Sequence, residues 1–194
     1  SGHRVLHGAG GLTATRGELA AVDLAWAEVP GATHYRIYRG IAEDAARAES
    51  IGSWASARSF SDETALPGVT YYYWVRSATS ALGHKAGSFG QAVQGYRSVV
   101  APGGIIGSNG DPQSISIAWQ PVAGATHYQV YRTHDVDNVL AEPISAWQEN
   151  VVFVDLQTQP SVTYHYWVRA AANTSGANAS RFSEKVTANR GLFA

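Results

Sequence analysis

Two short segments of the sequence combine residue types that could bind an ion or a partner. His134-Asp135-Val136-Asp137-Asn138 brings carboxylate and amide oxygens close together, which are the ligands that calcium prefers. It lacks the glycine-kinked loop and the distant bidentate glutamate that complete a calcium site, so we interpret it as a solvated loop. Arg16-Gly17-Glu18 differs from the integrin-binding Arg-Gly-Asp peptide by its glutamate, and we interpret it as a glycine turn.

The rest of the sequence offers no catalytic motif. Gly-x-Ser-x-Gly, His-Glu-x-x-His and phosphate-cradling glycine loops are all absent from it. The 7 histidines are scattered, apart from the equivalent pair His34 and His127. Cysteine is absent, which excludes disulfides and thiolate metal sites. We therefore expect no enzymatic activity, no metal site and no cofactor.

Composition limits the partners of the protein. A net charge of −1, from 14 basic and 15 acidic residues, gives no general attraction to nucleic acid or anionic lipid. No apolar run approaches the ~18 residues needed to cross a bilayer, so we expect no membrane insertion. The absence of cysteine fits a bacterial surface or secreted protein but is also common in the cytosol. The Asn-x-Ser/Thr triplets at Asn173 and Asn178 are glycosylation sites in a eukaryotic secretory host and ordinary loop residues in a bacterium.

The whole chain repeats itself at an interval of 93 positions, the distance from Trp26 to Trp119. Residues that build a unique active site need not occur twice, whereas residues that build a fold do. What recurs is therefore predicted to be scaffold, and what occurs once is decoration or a specialised function. The longest matches pair residues 31–35 with 124–128 and residues 71–76 with 164–169.

Each repeat has the pattern of short strands separated by turns. Val22, Leu24 and Trp26 stand at alternate positions, as on one face of a strand. Several such strands, with Gly and Pro between them, favour an all-β sandwich of two antiparallel sheets in each repeat. We predict a first domain over residues 1–100, which includes an N-terminal connector, and a second domain over residues 101–194.

Three local motifs carry a resemblance to a known family. They are a tryptophan on the second strand, a Tyr-x-Ile/Val-Tyr-Arg strand at 35–39 and 128–132, and a Leu-Pro-Gly-Val-Thr-Tyr corner at 66–71. The chain resembles the fibronectin type III family in its bacterial secreted form, although the second corner, at 159–164, reads Gln-Pro-Ser-Val-Thr-Tyr. The resemblance implies two immunoglobulin-like sandwiches in tandem, with a tyrosine hydroxyl tying each corner. The core positions that it implies are Trp26, Trp119, Tyr71 and Tyr164.

The outward face of one predicted sheet is unusually aromatic. If Tyr35 and Ile37 point into the core, the residues between them and their neighbours on the next strand point outward. One interpretation is a platform that stacks on sugar rings or docks a protein. The other is a ladder of stacked arginine and aromatic groups that only stabilises the sheet. The face comprises Tyr38, Tyr72, Trp74, Arg36 and Arg76, with Tyr131, Trp167 and Arg169 in the second repeat.

The repetition continues into the segment that joins the two repeats. Residues 97–104 form the complete connector, because Arg97 aligns with both Arg4 and Arg190. The connector is short and partly apolar, which predicts that it packs against a neighbouring domain. Partial connectors at both ends indicate an array cut at equivalent points, subunits that join head to tail, or a fragment boundary. The candidate assembly residues are Arg4, Leu6, Arg97, Val99, Val100, Arg190, Leu192 and Phe193.

These patterns favour a non-catalytic function. The resemblance implies an extracellular or cell-surface spacer, adhesion or binding segment of a bacterial protein. One alternative is the structural subunit of an extracellular filament built by head-to-tail contacts. A second is a carbohydrate-binding accessory module of a secreted glycoside hydrolase. The expected partners are accordingly neighbouring copies of the repeat, another protein or a polysaccharide.

Overall fold

A computed structural model describes residues 6–192 and confirms the all-β prediction. The chain divides into two compact units, the first ending at Arg97 and the second beginning at Ser98. The described residues contain one 3-10 turn, Ala45–Arg47, which the Asp44 carboxylate caps by accepting the Ala46 amide. Within residues 6–192, no helix is long and apolar enough to cross a membrane.

Two sheets make up the first unit, which we call sandwich 1. Their strands carry apolar residues at alternate positions and turn them to a common interior. The three-stranded sheet has the order β1 (Thr13–Ala14), β3 (Val22–Ala25) and β6 (Ser59–Asp62). The five-stranded sheet has the order β2 (Arg16–Glu18), β8 (Val93–Arg97), β7 (Tyr71–Ala78), β4 (His34–Gly40) and β5 (Glu49–Ser50). Pairing is antiparallel except between β2 and β8.

The core of sandwich 1 lies between these two sheets. Val22 and Leu24 from β3 and Tyr35 and Ile37 from β4 are all buried, as their alternation predicts. Trp26 packs edge-on against Tyr35, with ring centroids 5.7 Å apart. The predicted core position of this tryptophan is therefore confirmed.

The second unit, sandwich 2, repeats this architecture. Its interior is again formed by the facing sides of two antiparallel sheets. The three-stranded sheet has the order β13 (Val152–Asp155), β10 (Ile115–Ala118) and β9 (Ile106–Gly107). The four-stranded sheet has the order β12 (Glu142–Pro143), β11 (His127–Thr133), β14 (Thr163–Ala171) and β15 (Val186–Asn189).

Sandwich 2 also contains the predicted core tryptophan and the predicted corner tyrosine. Trp119 is buried with its ring centroid 5.5 Å from that of Tyr128. The Gln159 amide donates to the Tyr164 hydroxyl at 2.9 Å, so the implied corner hydrogen bond is present in this repeat. In sandwich 1 the equivalent Tyr71 is also buried.

The last strand of sandwich 1 differs from its prediction. The sequence also predicts a strand near residues 88–94, whereas β8 starts only at Val93. The segment before β8 runs beside β7 irregularly, and the Gly87 amide donates to the Ser77 carbonyl at 2.8 Å. A Cβ on Gly87 would lie 2.5 Å from the Leu6 carbonyl oxygen, so this close approach requires glycine.

Candidate functional site

Strand pairing assembles the aromatic face on the outer side of the five-stranded sheet. Tyr38 on β4 lies directly opposite Trp74 on β7, and Arg36 lies opposite Arg76. Tyr72 stacks on Trp74, with ring centroids 6.3 Å apart and 27° between the ring planes. The five residues chosen from the sequence therefore form one contiguous surface in sandwich 1.

Phe89, which the sequence reasoning missed, closes this surface. It reaches the face from the irregular segment before β8, and its ring meets Tyr38 edge-on at 4.9 Å. The Arg76 guanidinium lies 5.2 Å over the Phe89 ring and donates from Nε to the Gly87 carbonyl at 2.9 Å. Under these neighbours Trp74 is only 4% exposed.

Sandwich 2 builds the same arrangement from equivalent residues. Tyr131 lies opposite Trp167, and Phe182 meets the Tyr131 ring edge-on at 4.9 Å. The Arg169 guanidinium lies 5.5 Å over the Phe182 ring, and Trp167 is 4% exposed. Phe89 and Phe182 stand at the repeat interval, which is the sequence signal that could have revealed both.

The burial of both tryptophans limits what this face can do. A ring that stacks on a sugar must offer an open face to it, and the rings of Trp74 and Trp167 are covered. Tyr38, Tyr72 and Arg36 remain partly exposed. The observed contacts are those of a cross-strand ladder with cation–π support. A binding platform stays a prediction for the partly exposed side chains.

The connector residues occupy different environments at equivalent positions. Leu6 is 5% exposed in the core of sandwich 1, and Val99 is 1% exposed in the core of sandwich 2. Leu192 follows Val99 at the repeat interval and is 72% exposed. Val100 is also exposed, and the candidate residues Arg4 and Phe193 lie outside the described part of the chain.

An arginine fixes the end of the last strand in each sandwich. The Arg97 guanidinium donates to the Leu19 carbonyl at 2.6 and 2.9 Å and to the Ala65 carbonyl at 3.0 Å. Arg190 donates in the same way to the carbonyls of Pro112 and Thr158. Each guanidinium satisfies carbonyl groups of two loops, so both arginines anchor the point at which the chain leaves a sandwich.

Comparison with known proteins bears on the fold. No family model matches this sequence, and no curated protein matches it. A two-domain fibronectin type III segment of chicken tenascin superposes with a TM-score of 0.66 at 14% identity, covering 93% of this chain and 97% of that one. The chain has the fold of two fibronectin type III domains in tandem.

Two further solved structures are similar. The FN1–FN3 domains of chicken CNTN1 match at a TM-score of 0.42 and 15% identity, over 94% of this chain and 67% of that one. A Fn3-like protein from Clostridium thermocellum matches at a TM-score of 0.43 and 16% identity, over 50% of this chain and 97% of that one.

Each sandwich also contains a buried ionic cluster that sequence reasoning missed. In sandwich 1, Arg39 Nη1 lies 2.7 Å from Asp62 Oδ2, and the Tyr73 hydroxyl donates to the same oxygen at 2.9 Å. Arg132, Asp155 and Tyr166 repeat the cluster at distances of 2.6 and 2.9 Å. Its recurrence at the repeat interval identifies the cluster as scaffold rather than as a reaction centre.

Protonation in this cluster follows from its hydrogen bonds. Burial alone raises the pKa of Asp62, but hydrogen bonds from Thr64, Arg39 and Tyr73 outweigh burial and lower this pKa below its usual range. Burial and the adjacent Asp62 carboxylate raise the pKa of Tyr73. The cluster therefore holds one carboxylate, one guanidinium and one neutral phenol at neutral pH.

Within the described chain, the 134–138 segment forms no ion-binding site and the Arg16–Glu18 segment forms no turn, and each occurs in one repeat only. In the 134–138 loop, Asp137 Oδ1 accepts the Val139 amide at 3.1 Å. Among the described residues, no group of three His, Cys, Asp or Glu side chains is placed to hold a metal ion. Arg16–Glu18 is strand β2 rather than a turn, with a register shift against β8 and Gly17 at φ 95°.

Proposed function

We propose that the chain is a non-catalytic spacer and binding segment of a bacterial surface or secreted protein. The observation that supports this best is the use of connector residues in the cores. Leu6 packs in sandwich 1 and Val99 packs in sandwich 2. Each repeat thus carries its joining segment as part of its own fold, and further repeats can be added without a separate linker. A unit of this kind suits a protein that spaces or presents other domains.

The extracellular part of this proposal is tested on cells of the source organism. An antibody against the purified chain should label intact cells or detect the chain in the culture medium, because a surface or secreted segment is accessible without lysis. An antibody against a cytoplasmic protein serves as the control and should label lysed cells only. Labelling that appears only after lysis contradicts the proposed location.

A head-to-tail filament is a second candidate, and the exposure of Leu192 favours it. The two equivalent residues, Leu6 and Val99, are buried in a sandwich core, whereas Leu192 presents its side chain to solvent. A large aliphatic side chain at this position suits a contact with a further copy. Because such a contact joins two different surfaces, it propagates without closure.

Assembly of the purified chain tests the filament. Light scattering should increase with concentration, and negative-stain images should show linear particles. Leu192→Ser should abolish both signals without lowering stability, since Leu192 makes no core contact. Leu82→Ser, which changes a similarly exposed leucine outside the connector, is the matched control. Strict monomers at high concentration contradict the filament and leave the spacer proposal intact.

A further inference from the structure

The outer face of the three-stranded sheet of sandwich 2 carries large aliphatic side chains in contact with solvent. Ala118 on the central strand β10 pairs with Ile106 on one side and with Val152 on the other. In the next outward row, Ser116 pairs with Val154. Ile106, Val152 and Val154 are 66%, 47% and 48% exposed. We call Ile106, Ala118, Val152 and Val154 the aliphatic face.

Sandwich 1 shows that the fold does not require this surface to be aliphatic. Its outward row pairs Ala25 with Thr13 and with Ser59, in the same register. The next row pairs Asp23 with Ser61, whose hydroxyl donates to the Asp23 carboxylate at 2.6 Å. The same sheet is therefore polar in one repeat and aliphatic in the other. A feature that occurs once in a duplicated scaffold calls for an explanation beyond folding.

The absence of charge on and beside the aliphatic face is compatible with docking on a second copy of the chain. No residue of the aliphatic face is charged, and Ser116 replaces the carboxylate that sandwich 1 carries at Asp23. The outward positions that continue the two longer strands, Gln120 and Asn150, are also uncharged. A two-fold axis packs this face against the same face of the other copy, so a face without charge can meet itself without repulsion.

We propose that the aliphatic face docks on the same face of a second copy of this chain. The two sheets would pack face to face at about 10 Å, as the layers inside a β-sandwich do. This proposal does not depend on the connector or on the proposed function.

The edge of the sheet favours contact through the face rather than strand addition. Strand β13 is an edge strand, and the Gln148 side chain donates to the Val152 carbonyl at 2.9 Å and to the Asn150 carbonyl at 3.2 Å. This amide occupies backbone acceptors that an added strand would need. Sandwich 1 has Ala55 at the equivalent position and lacks such a side-chain cap there.

The size of the face sets the strength of the contact. Three large aliphatic side chains cover on the order of 300 Å², well below the roughly 800 Å² that each partner of a stable complex buries. We expect a reversible dimer with a Kd of about 0.1–1 mM. Contacts of this strength become effective where many copies are held close together.

Sedimentation analysis of the whole chain up to about 1 mM tests the dimer, a range set by its expected Kd. The wild type should pass from monomer to dimer as concentration rises. The double variant Val152→Ser/Val154→Ser introduces the residues that sandwich 1 uses, Ser59 and Ser61, and should weaken dimerisation by about thirtyfold or more. Because both valines are exposed, its unfolding midpoint should stay close to that of the wild type.

A charge variant and a connector variant complete the experiment. Ser116→Asp restores the carboxylate of sandwich 1 and should abolish the dimer at low ionic strength through like-charge repulsion. Leu192→Ser leaves the aliphatic face unchanged and should dimerise like the wild type. A wild type that stays monomeric up to 1 mM overturns the proposal. So does association that survives both face variants, or that only Leu192→Ser removes, which would instead support head-to-tail contacts.

Discussion

The Trp54 indole lies directly over Gly83, where a Cβ would come within 2.5 Å of the indole Nε1. The same relationship holds between Trp147 and Gly176 in the second repeat. Gly83 sits in the loop between β7 and β8 with φ at +74°, a conformation that favours glycine. In each sandwich, the contact between the half-buried indole and this glycine therefore holds the loop in place.

Gly83→Ala should lower the free energy of unfolding of sandwich 1 by about 2–4 kcal/mol, since it adds both a backbone strain and a steric clash. Gly110→Ala separates the two effects. Gly110 has φ at +82° with nothing within 4 Å of a Cβ, so it should cost only about 1 kcal/mol. Urea denaturation followed by tryptophan fluorescence gives both values. Equal costs for the two variants would contradict the indole contact.

The Arg39–Asp62 pair predicts a loss of stability in acid. The pKa of Asp62 is lowered in the folded state and returns to about 3.9 in the unfolded chain. The folded chain therefore binds the proton less readily, and stability is full above the unfolded pKa and falls as pH drops through the folded one. Urea denaturation at a series of values from about pH 5 to about pH 2 should show this decline in the free energy of unfolding.

Asp62→Asn provides the matching mutational test. Removal of one partner of this buried pair should cost about 3 kcal/mol at pH 7 and flatten the acid dependence. Asp44→Asn is the surface control, because the Asp44–Arg47 pair is largely exposed at 3.4 Å and should contribute less than about 0.5 kcal/mol. If Asp62→Asn leaves the pH profile unchanged, the cluster does not carry the acid sensitivity.

The buried ladder predicts that Trp74 acts through stability. Trp74→Ala should cost about 3–5 kcal/mol, as loss of a packed indole does, whereas the exposed Leu82→Ala should cost less than about 0.5 kcal/mol. Retention of the wild type on insoluble polysaccharide is measured in parallel. Retention that Tyr72→Ala removes without loss of stability would establish the binding platform instead.

The connector predicts different costs at equivalent positions. Val99→Ser should destabilise sandwich 2 by about 2–3 kcal/mol, because it replaces a buried core side chain by a polar one. Leu192→Ser should change the free energy of unfolding by less than about 0.5 kcal/mol, because this side chain is exposed. Chemical denaturation of both variants measures these changes in the free energy of unfolding. A similar cost at Leu192 would contradict the exposed position of its side chain.

The predictions that succeeded rest on local periodicity. Alternation along β3 and β4 placed Val22 and Tyr35 in the core, because a strand turns every second side chain to the same side. The interval of the repeat then extended these assignments to sandwich 2. Where the chain leaves strand geometry, as in the segment carrying Phe89, alternation no longer reports direction, and that ring was missed.

Two other features depend on information that alternation does not contain. Asp62 meets Arg39 because two sheets bring them together, and no local pattern links residues so far apart in sequence. The outward direction of Val152 and Val154 is hidden in an unbroken apolar run at 151–154. The equivalent residues 59–61 read Ser-Phe-Ser and alternate, so comparison of the repeats residue by residue would have identified the aliphatic face.

The buried side chain of Val99 also constrains how such a chain can be copied in evolution. If two gene copies were joined at a point between Val99 and Gly104, the second sandwich would lack the buried side chain at position 99. Its core would then contain a cavity. Breakpoints upstream of that residue preserve the interior. A module that is copied with its core intact therefore begins with the connector, and the interval from Leu6 to Val99 gives the length of that module.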